Sequence, residues 1–445
     1  MPSRRGHDFK RVLSLRDLVL FGLAFVGPTA PYSMFGIATV KSHGHLALVY
    51  LIAMLAMSIT AISYGRMSAA YPEAGSTYAY ASRVLHPTAG FFAGWSMVLD
   101  YILVPMLSVI FVSLTASKIL PEVPFSLWAV ATAGGITAIN LRGIQVTARS
   151  NSVMNAIMGA SLVWFVLVAI RALQGGTGEG ALFSTRPFFN PETFSFQATM
   201  SATSLAVLSF IGFDGVSTLA EDSRNPRRDI GRATILVCFL AGGLFVLQSY
   251  LATMVWPDYT TFSPVETAFM DVGRLVGGPA LFYFLSFVLL VAGVASAVTG
   301  QASASRLLCG MGRDRLLPYG IFGYVHPRLG TPIYSVLLMG AVHLTGALIL
   351  KYTEAAELVN FGAFIGFMSV NLCVIRHYWL RSTEPRRWLS HLALPAAGFA
   401  VCLYIWLHLS RFALALGGLW LAVGFFYLLF LTRGFTHEIA DLKPG

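Results

Sequence analysis

The sequence predicts an all-α integral membrane protein of twelve transmembrane helices, and three observations carry that reading. Of 445 residues, 56% are hydrophobic and only 11% charged, against about 25% charged in a soluble domain. The charges fall between apolar runs close to the ~20 residues needed to cross a hydrocarbon core. Two of those runs are interrupted at matching places: Gly27-Pro28-Thr29-Ala30-Pro31 in the first, and Phe210-Ile211-Gly212-Phe213-Asp214-Gly215 in the sixth.

The spans follow in order. Charge-free runs separate Asp17 from Lys41, Lys41 from Arg66, Glu122 from Arg142 and Arg149 from Arg171, and the run from Arg83 to Lys118 is broken only by Asp100. These make a first block, about residues 16–173. A second block, about 197–379, holds the runs Glu192 to Asp214, Arg232 to Asp258, Arg274 to Arg306, Arg328 to Lys351 and Glu357 to Arg376. Two further spans, divided by Arg411, occupy about 388–432. Each five-span block opens with an interrupted helix. This predicts a five-plus-five inverted repeat with helices 1 and 6 broken, two additional C-terminal helices, and one transporter domain over 1–445. No letter-by-letter repeat accompanies it.

An even number of spans puts both termini on one side, and Lys and Arg choose the side. With the termini cytoplasmic, all but seven of the 30 basic residues fall inside; the exceptions are Lys41, Lys118, Arg171, Arg186, Arg274, Lys351 and Arg411. The net charge of +10 therefore reports orientation, and no basic face for nucleic acid exists outside short loops. The first run is long and ends at Thr39-Val40-Lys41, a poor cleavage site, so it reads as a retained span. Cys238, Cys309, Cys373 and Cys402 lie in or beside spans, and no disulfide is expected. The loop 174–197 is rich in Gly and polar residues and serves as an external cap or linker. Residues 263–277 are too polar to span and suit a short amphipathic surface helix.

The breaks point to the chemistry. Proline lacks an amide proton and clashes with the preceding turn. In a bilayer, freed backbone groups need partners, so broken helices survive only where buried or lining a polar cavity. Paired breaks in corresponding halves mark a transporter's substrate site. The first break offers Gly27, Pro28, Thr29 and Ser33, and the second Phe210, Gly212, Phe213 and Asp214. Asp214 reads either as a ligand for a cation or proton, or as a cap for a restarting half-helix. Asp100, beside Tyr101, is the other acid within a span. The spans hold almost no central basic residue to pair with either, which favours a cationic guest. Ser296, Thr299 and Ser303 offer hydroxyls to a coupling ion; small residues at that spacing also permit close packing. Phe25, Tyr101, Phe210 and Phe213 form a candidate aromatic lid. No enzyme motif, phosphate loop, metal set or cofactor fingerprint occurs.

Three motifs carry a resemblance. Pro72-Glu73-Ala74-Gly75-Ser76-Thr77-Tyr78-Ala79-Tyr80 is the first. Gly212-Phe213-Asp214, followed by Glu221-Asp222-Ser223-Arg224-Asn225-Pro226, is the second. Ser305-Arg306-Leu307-Leu308 with Gly312-Arg313-Asp314 and His326-Pro327 is the third. Together they resemble the amino acid–polyamine–organocation transporters over about residues 12–380. Gly94-Trp95-Ser96, Leu99-Asp100-Tyr101, Pro105-Met106 and Phe322-Gly323-Tyr324 are most similar to the bacterial putrescine importers of that superfamily. The resemblance implies alternating access, a site between spans 1, 3, 6 and 8, a bacterial inner membrane, and import driven by a proton or sodium gradient. Where amino-acid carriers of the superfamily have a Gly-Ser-Gly turn, this chain has Gly27-Pro28-Thr29, which favours an amine. Where putrescine importers tend to have an acid, it has Ser33, which leaves a monoamine, another polyamine or a neutral amino acid open. Span 5 lacks the lysine that stands in for a cation in some members. The expected function is import of a small organic amine, putrescine-like, with an amino acid permease as the alternative and a non-transporting nutrient sensor behind both.

Overall fold

The computed structural model describes residues 11–433 except 74, 264, 351, 383, 384, 408 and 410. Among these, helix dominates. Leu15–Val26 (α1) is started by a capping box, in which Asp17 accepts from the Ser14 amide (2.9 Å) and hydroxyl (2.7 Å). The chain then bends by 54° and resumes as Pro31–Lys41 (α2), with proline in the first turn, where a missing amide proton costs nothing. Leu46–Ala70 (α3), Ser76–Val84 (α4), Pro87–Ile119 (α5), Phe125–Leu141 (α6) and Ile144–Gln174 (α7) follow.

The second half opens with Phe196–Ala206 (α8), which tightens into a 3-10 turn at Val207–Phe210. Ile211 is extended and Gly212 left-handed (φ 111°), a conformation that costs glycine little. A ten-residue 3-10 run, Phe213–Asp222, completes the span. Such runs rarely exceed three or four residues, and longer ones often mark a hinge. Pro226–Val255 (α9), Ala268–Arg313 (α10), Tyr319–Phe322 (α11), Ile333–Ile349 (α12), Tyr352–Val374 (α13), Leu394–Leu407 (α14) and Arg411–Leu431 (α15) complete the order. Within α10, Gly278 (φ 68°) and Pro279 break the helix, so Ala268–Gly277 forms a separate amphipathic piece. It buries Phe269 against Tyr32 (4.2 Å between rings) and exposes Arg274. The expected surface helix therefore exists, and its apolar face holds α2.

Nine helical stretches of the described residues are long and apolar enough to cross a membrane, or ten with the bent α1–α2 pair; α6 and α12 are shorter. Both sequence breaks are real breaks, and they touch. A Cβ on Gly212 would stand 2.8 Å from the Phe25 ring and 3.3 Å from its backbone carbon. Small residues allow the closest helix approaches, as at Gly65 of α3 against Gly231 of α9. Buried amides knit other helices. Asn140 of α6 donates to Gln301 of α10 (2.9 Å), and Gln301 donates to Thr137 (3.0 Å) and to the Val336 carbonyl of α12 (3.0 Å). Trp95 of α5 and Trp420 of α15 exchange indole-to-carbonyl bonds of 2.9 Å with rings stacked at 4.7 Å. Bonds of this kind are worth about 0.6 kcal/mol each within a bilayer, so they choose helix partners more than they drive assembly. All four cysteines are buried free thiols.

The loop 174–197 lies over the ends of α3 and α9. Tyr250 donates to the Leu182 carbonyl (3.1 Å) and accepts from the Ser184 amide (2.9 Å). His45 Nε2 accepts from the Asn190 amide (3.1 Å). This is the far face of the bundle; the near face carries the starts of α1, α5, α7 and α9.

Candidate functional site

A cavity of about 240 Å³ opens in the far half of the bundle, between the first break, α5 and the middle of α10. Gly27, Thr29 and Ser33 form one wall, Leu107 and Phe111 of α5 a second, and Ser296 of α10 a third. The break makes this wall polar. Gly27 stands at φ 77°, and the Thr29 hydroxyl is buried with no hydrogen-bond partner among the described residues. Ser33 is exposed and donates to the Ala30 carbonyl at 3.2 Å. Pro28 points away from this wall, and its carbonyl accepts from Gln248 of α9 at 2.9 Å. A space this small suits a metabolite; drug-sized pockets run to about 300–1,000 Å³.

Below the cavity lies the acidic centre. Phe25 forms its ceiling, its ring packed against Tyr101 (6.0 Å), Gly215 and Gly300. Tyr101 donates to Asp214 at 2.5 Å, a charge-assisted length. Among the described residues no side-chain partner reaches the second Asp214 oxygen, and none reaches either oxygen of Asp100, though both residues are wholly buried. Neither acid makes an ion pair among the described residues. The Gly212 and Asp214 amides at the start of the 3-10 run also face this carboxylate, so the helix-cap reading of Asp214 coexists with the ligand reading. Burying an isolated charge is expensive, and a lone carboxylate must be neutralised by a proton or a counter-ion. Ionised, either acid would need a proton or a cation beside it.

The other sequence candidates are dispersed. Phe210 packs edge-on against Phe245 (5.2 Å), and Phe213 against Phe367 (5.2 Å) and Tyr64 (5.7 Å); neither lines the cavity. Ser296 donates to the Phe25 carbonyl (3.1 Å), while Thr299 bonds back to Ala295 (2.8 Å) and Ser296 (2.9 Å) of its own helix. Ser303 is unpartnered and lies 2.9 Å from where a Gly215 Cβ would be. The three hydroxyls thus do not converge on one point. Sequence reasoning missed Gln248 and Tyr64. Each is a polar group inside an apolar run, and that was the available signal.

The near half is shut. Asp222 accepts from Arg306 Nε at 2.6 Å, Glu221 from Arg313 at 2.5 Å, and Asp314 from the Tyr78 hydroxyl. The lead-in strand joins them: the Val12 and Leu13 amides donate to the Asp222 carbonyl (2.9 and 3.0 Å), and the Arg224 amide donates to Leu13 (3.0 Å). The second and third sequence motifs thus meet as a charged plug under the acidic centre.

One substitution tests how tightly the centre is built. Gly215→Ala places a methyl 2.6 Å from the Phe25 ring, so the ring must move towards Tyr101. Transport should fall about tenfold or more, the scale of a 1–3 kcal/mol overpacking cost. Gly134→Ala, which meets nothing within 4 Å, is the control and should be unchanged. Uptake and melting temperature measured side by side read both.

Comparison with known proteins gives the same direction. The family model described as "Amino acid permease" matches residues 18–431. The low-affinity putrescine importer PlaP of Escherichia coli (strain K12) is 32% identical, covering 99% of this chain and 98% of that protein. The branched-chain amino acid permease BcaP of Bacillus subtilis is 26% identical, over 94% and 92% of the two chains. The methylthioribose transporter of the same organism is also 26% identical, over 94% and 93%. A match over nearly every span, with both broken helices and the buried acids inside it, leads to one conclusion: this chain belongs to the amino acid permease family and is a multi-pass membrane transporter, not an enzyme.

Proposed function

We propose that this permease imports a small organic amine, putrescine or a related polyamine, by alternating access driven by an ion gradient. The observation that carries the proposal is the wholly buried pair Asp100 and Asp214, which has no cationic side chain as partner. An ammonium group supplies the missing charge. It enters from the far face through the cavity beside Gly27, Thr29 and Ser33, displaces the Phe25–Tyr101 contact, and pairs with Asp214. The similarity to a putrescine importer over 99% of the chain supports this substrate class.

Twelve spans fit the same reading once α6 and α12 are counted, since 17 residues lie at the short end of what crosses a bilayer. The near face is then cytoplasmic, in keeping with its excess of Lys and Arg. The coupling ion is a proton on one of the acids or a sodium ion near Ser303.

Uptake of labelled putrescine into proteoliposomes tests the proposal. Unlabelled putrescine and spermidine should suppress the signal, and a large excess of leucine, alanine or arginine should leave it intact. Suppression by leucine with none by putrescine would move the protein to the amino-acid branch, where the 26% identical branched-chain permease lies. Saturable binding without accumulation would make it a sensor.

A further inference from the structure

The near face carries a second concavity, away from the acidic centre. It has a volume of about 390 Å³ and lies between the first turns of α1 and α7, lined by Arg16, Asp17, Gln145, Arg149 and Ser152. It shares no residue with the acidic centre, and it borders the charged plug through Val12 and Leu13, which line it and whose amides donate to the Asp222 carbonyl. Arg16 and Arg149 are exposed, and neither makes an ion pair or side-chain hydrogen bond among the described residues. That is unlike Arg306 and Arg313 of the plug, both of which are paired. Asp17 belongs to the same concavity and keeps its negative charge there, although its Oδ2 accepts from the Ser14 amide and hydroxyl. Gln145 is exposed at the rim and Ser152 is half-buried within it.

We infer that this concavity binds a phosphate ester, with Arg16 and Arg149 as its two arms. The planar guanidinium matches a phosphate bidentately, and two of them from different helices define a site for a single oxyanion. Gln145 adds a neutral donor, whereas the Ser152 hydroxyl is already donated to the Ala148 carbonyl at 2.9 Å. The setting favours such a ligand, because the concavity opens at the end of two spans, at the level where the headgroups of a bilayer lie. Anionic lipid headgroups attract basic residues placed there. The same chemistry could be met by free phosphate from the adjoining solvent.

Binding has a mechanical consequence. Arg16 belongs to the half-helix before the first break, and Arg149 to α7, which already holds α1 through Asn155 donating to the Leu20 carbonyl at 2.7 Å. An oxyanion between the two arginines removes their mutual repulsion and adds a second clasp between α1 and α7. It therefore favours the arrangement in which the near face is closed.

The test uses the purified full-length protein in nanodiscs and detergent. Wild type and Arg16→Gln/Arg149→Gln are compared by native mass spectrometry for retained phosphatidylglycerol, and by melting temperature in phosphatidylcholine with and without phosphatidylglycerol. A third arm adds inorganic phosphate in detergent without lipid. Both arginines are exposed, so the variant should fold, and its melting temperature in phosphatidylcholine alone checks that. The expected result is a retained phosphatidylglycerol and a stabilisation in wild type, weakened about tenfold or more in the variant, the scale of one lost bond to a charged group. Equal protection of wild type by inorganic phosphate, absent from the variant, assigns the site to a free anion instead of a lipid. Equal retention and equal stabilisation in wild type and variant overturn the site altogether.

Discussion

Asp214→Asn should abolish amine uptake, lowering it by about 100-fold or more, while the protein still folds. The carboxylate is wholly buried and accepts from the Tyr101 hydroxyl at 2.5 Å, with the Gly212 and Asp214 amides beside it. Asparagine has nearly the same shape and still accepts that bond through its amide oxygen, so the packing of α5 against the 3-10 run survives. What disappears is the negative charge that an ammonium needs in a place without water. Leaving a buried charge unpaired costs roughly 3–5 kcal/mol, which corresponds to about two to three and a half powers of ten in affinity. Ligand binding and uptake should therefore vanish together, with the melting temperature near that of wild type. Uptake at the wild-type rate would reduce Asp214 to a structural residue and remove the basis for an amine as substrate.

The second large effect concerns the charged plug. Arg306→Met leaves Asp222 buried opposite an apolar side chain, and the cost should again be roughly 3–5 kcal/mol, here in stability. The Asp222–Arg306 contact is 2.6 Å with both side chains almost wholly enclosed, so solvent does little to screen it. Adding Asp222→Leu to Arg306→Met should restore most of the lost stability, because an apolar pair of similar volume is often neutral or better. A double-mutant cycle isolates the coupling. Uptake should stay low in the restored double variant if the plug opens and recloses in each cycle as proposed, because an apolar pair has no reason to part in water. Melting temperatures of the four proteins and their uptake rates give both halves. Unchanged stability in Arg306→Met, or full transport in the double variant, would show that the pair neither holds the near face nor gates it.

The fold was legible where backbone chemistry leaves little choice. Gly27-Pro28 and Gly212 pair a residue free to take positive φ with a missing amide proton or an adjoining acid, and the structure breaks at both. The acids were legible too, because carboxylates are costly in oil and stand out in an apolar run. The pairings were not. Tyr101 reaches Asp214 across 113 residues, Gln248 reaches the Pro28 carbonyl across 220, and Arg306 reaches Asp222 across 84. Each depends on the rotation of one helix against another, which periodicity alone does not supply. The aromatic lid shows the same limit. Phe25 and Tyr101 meet over the centre, whereas Phe210 and Phe213 turn to Phe245 and Phe367 on either side of the left-handed step at Gly212.

The 3-10 run Phe213–Asp222 has one more implication, and it concerns length. Ten residues at about 2.0 Å each extend roughly 20 Å, whereas the same residues wound as an α-helix would extend roughly 15 Å. Asp214 sits near one end of this stretch and Asp222 at the other. Rewinding it would draw the two termini together by about 5 Å, enough to pull Asp222 off Arg306 without any rigid rotation of the bundle. Occupancy at the upper carboxylate and release at the lower one would then be two readings of a single coil, overwound when empty and free to relax when filled.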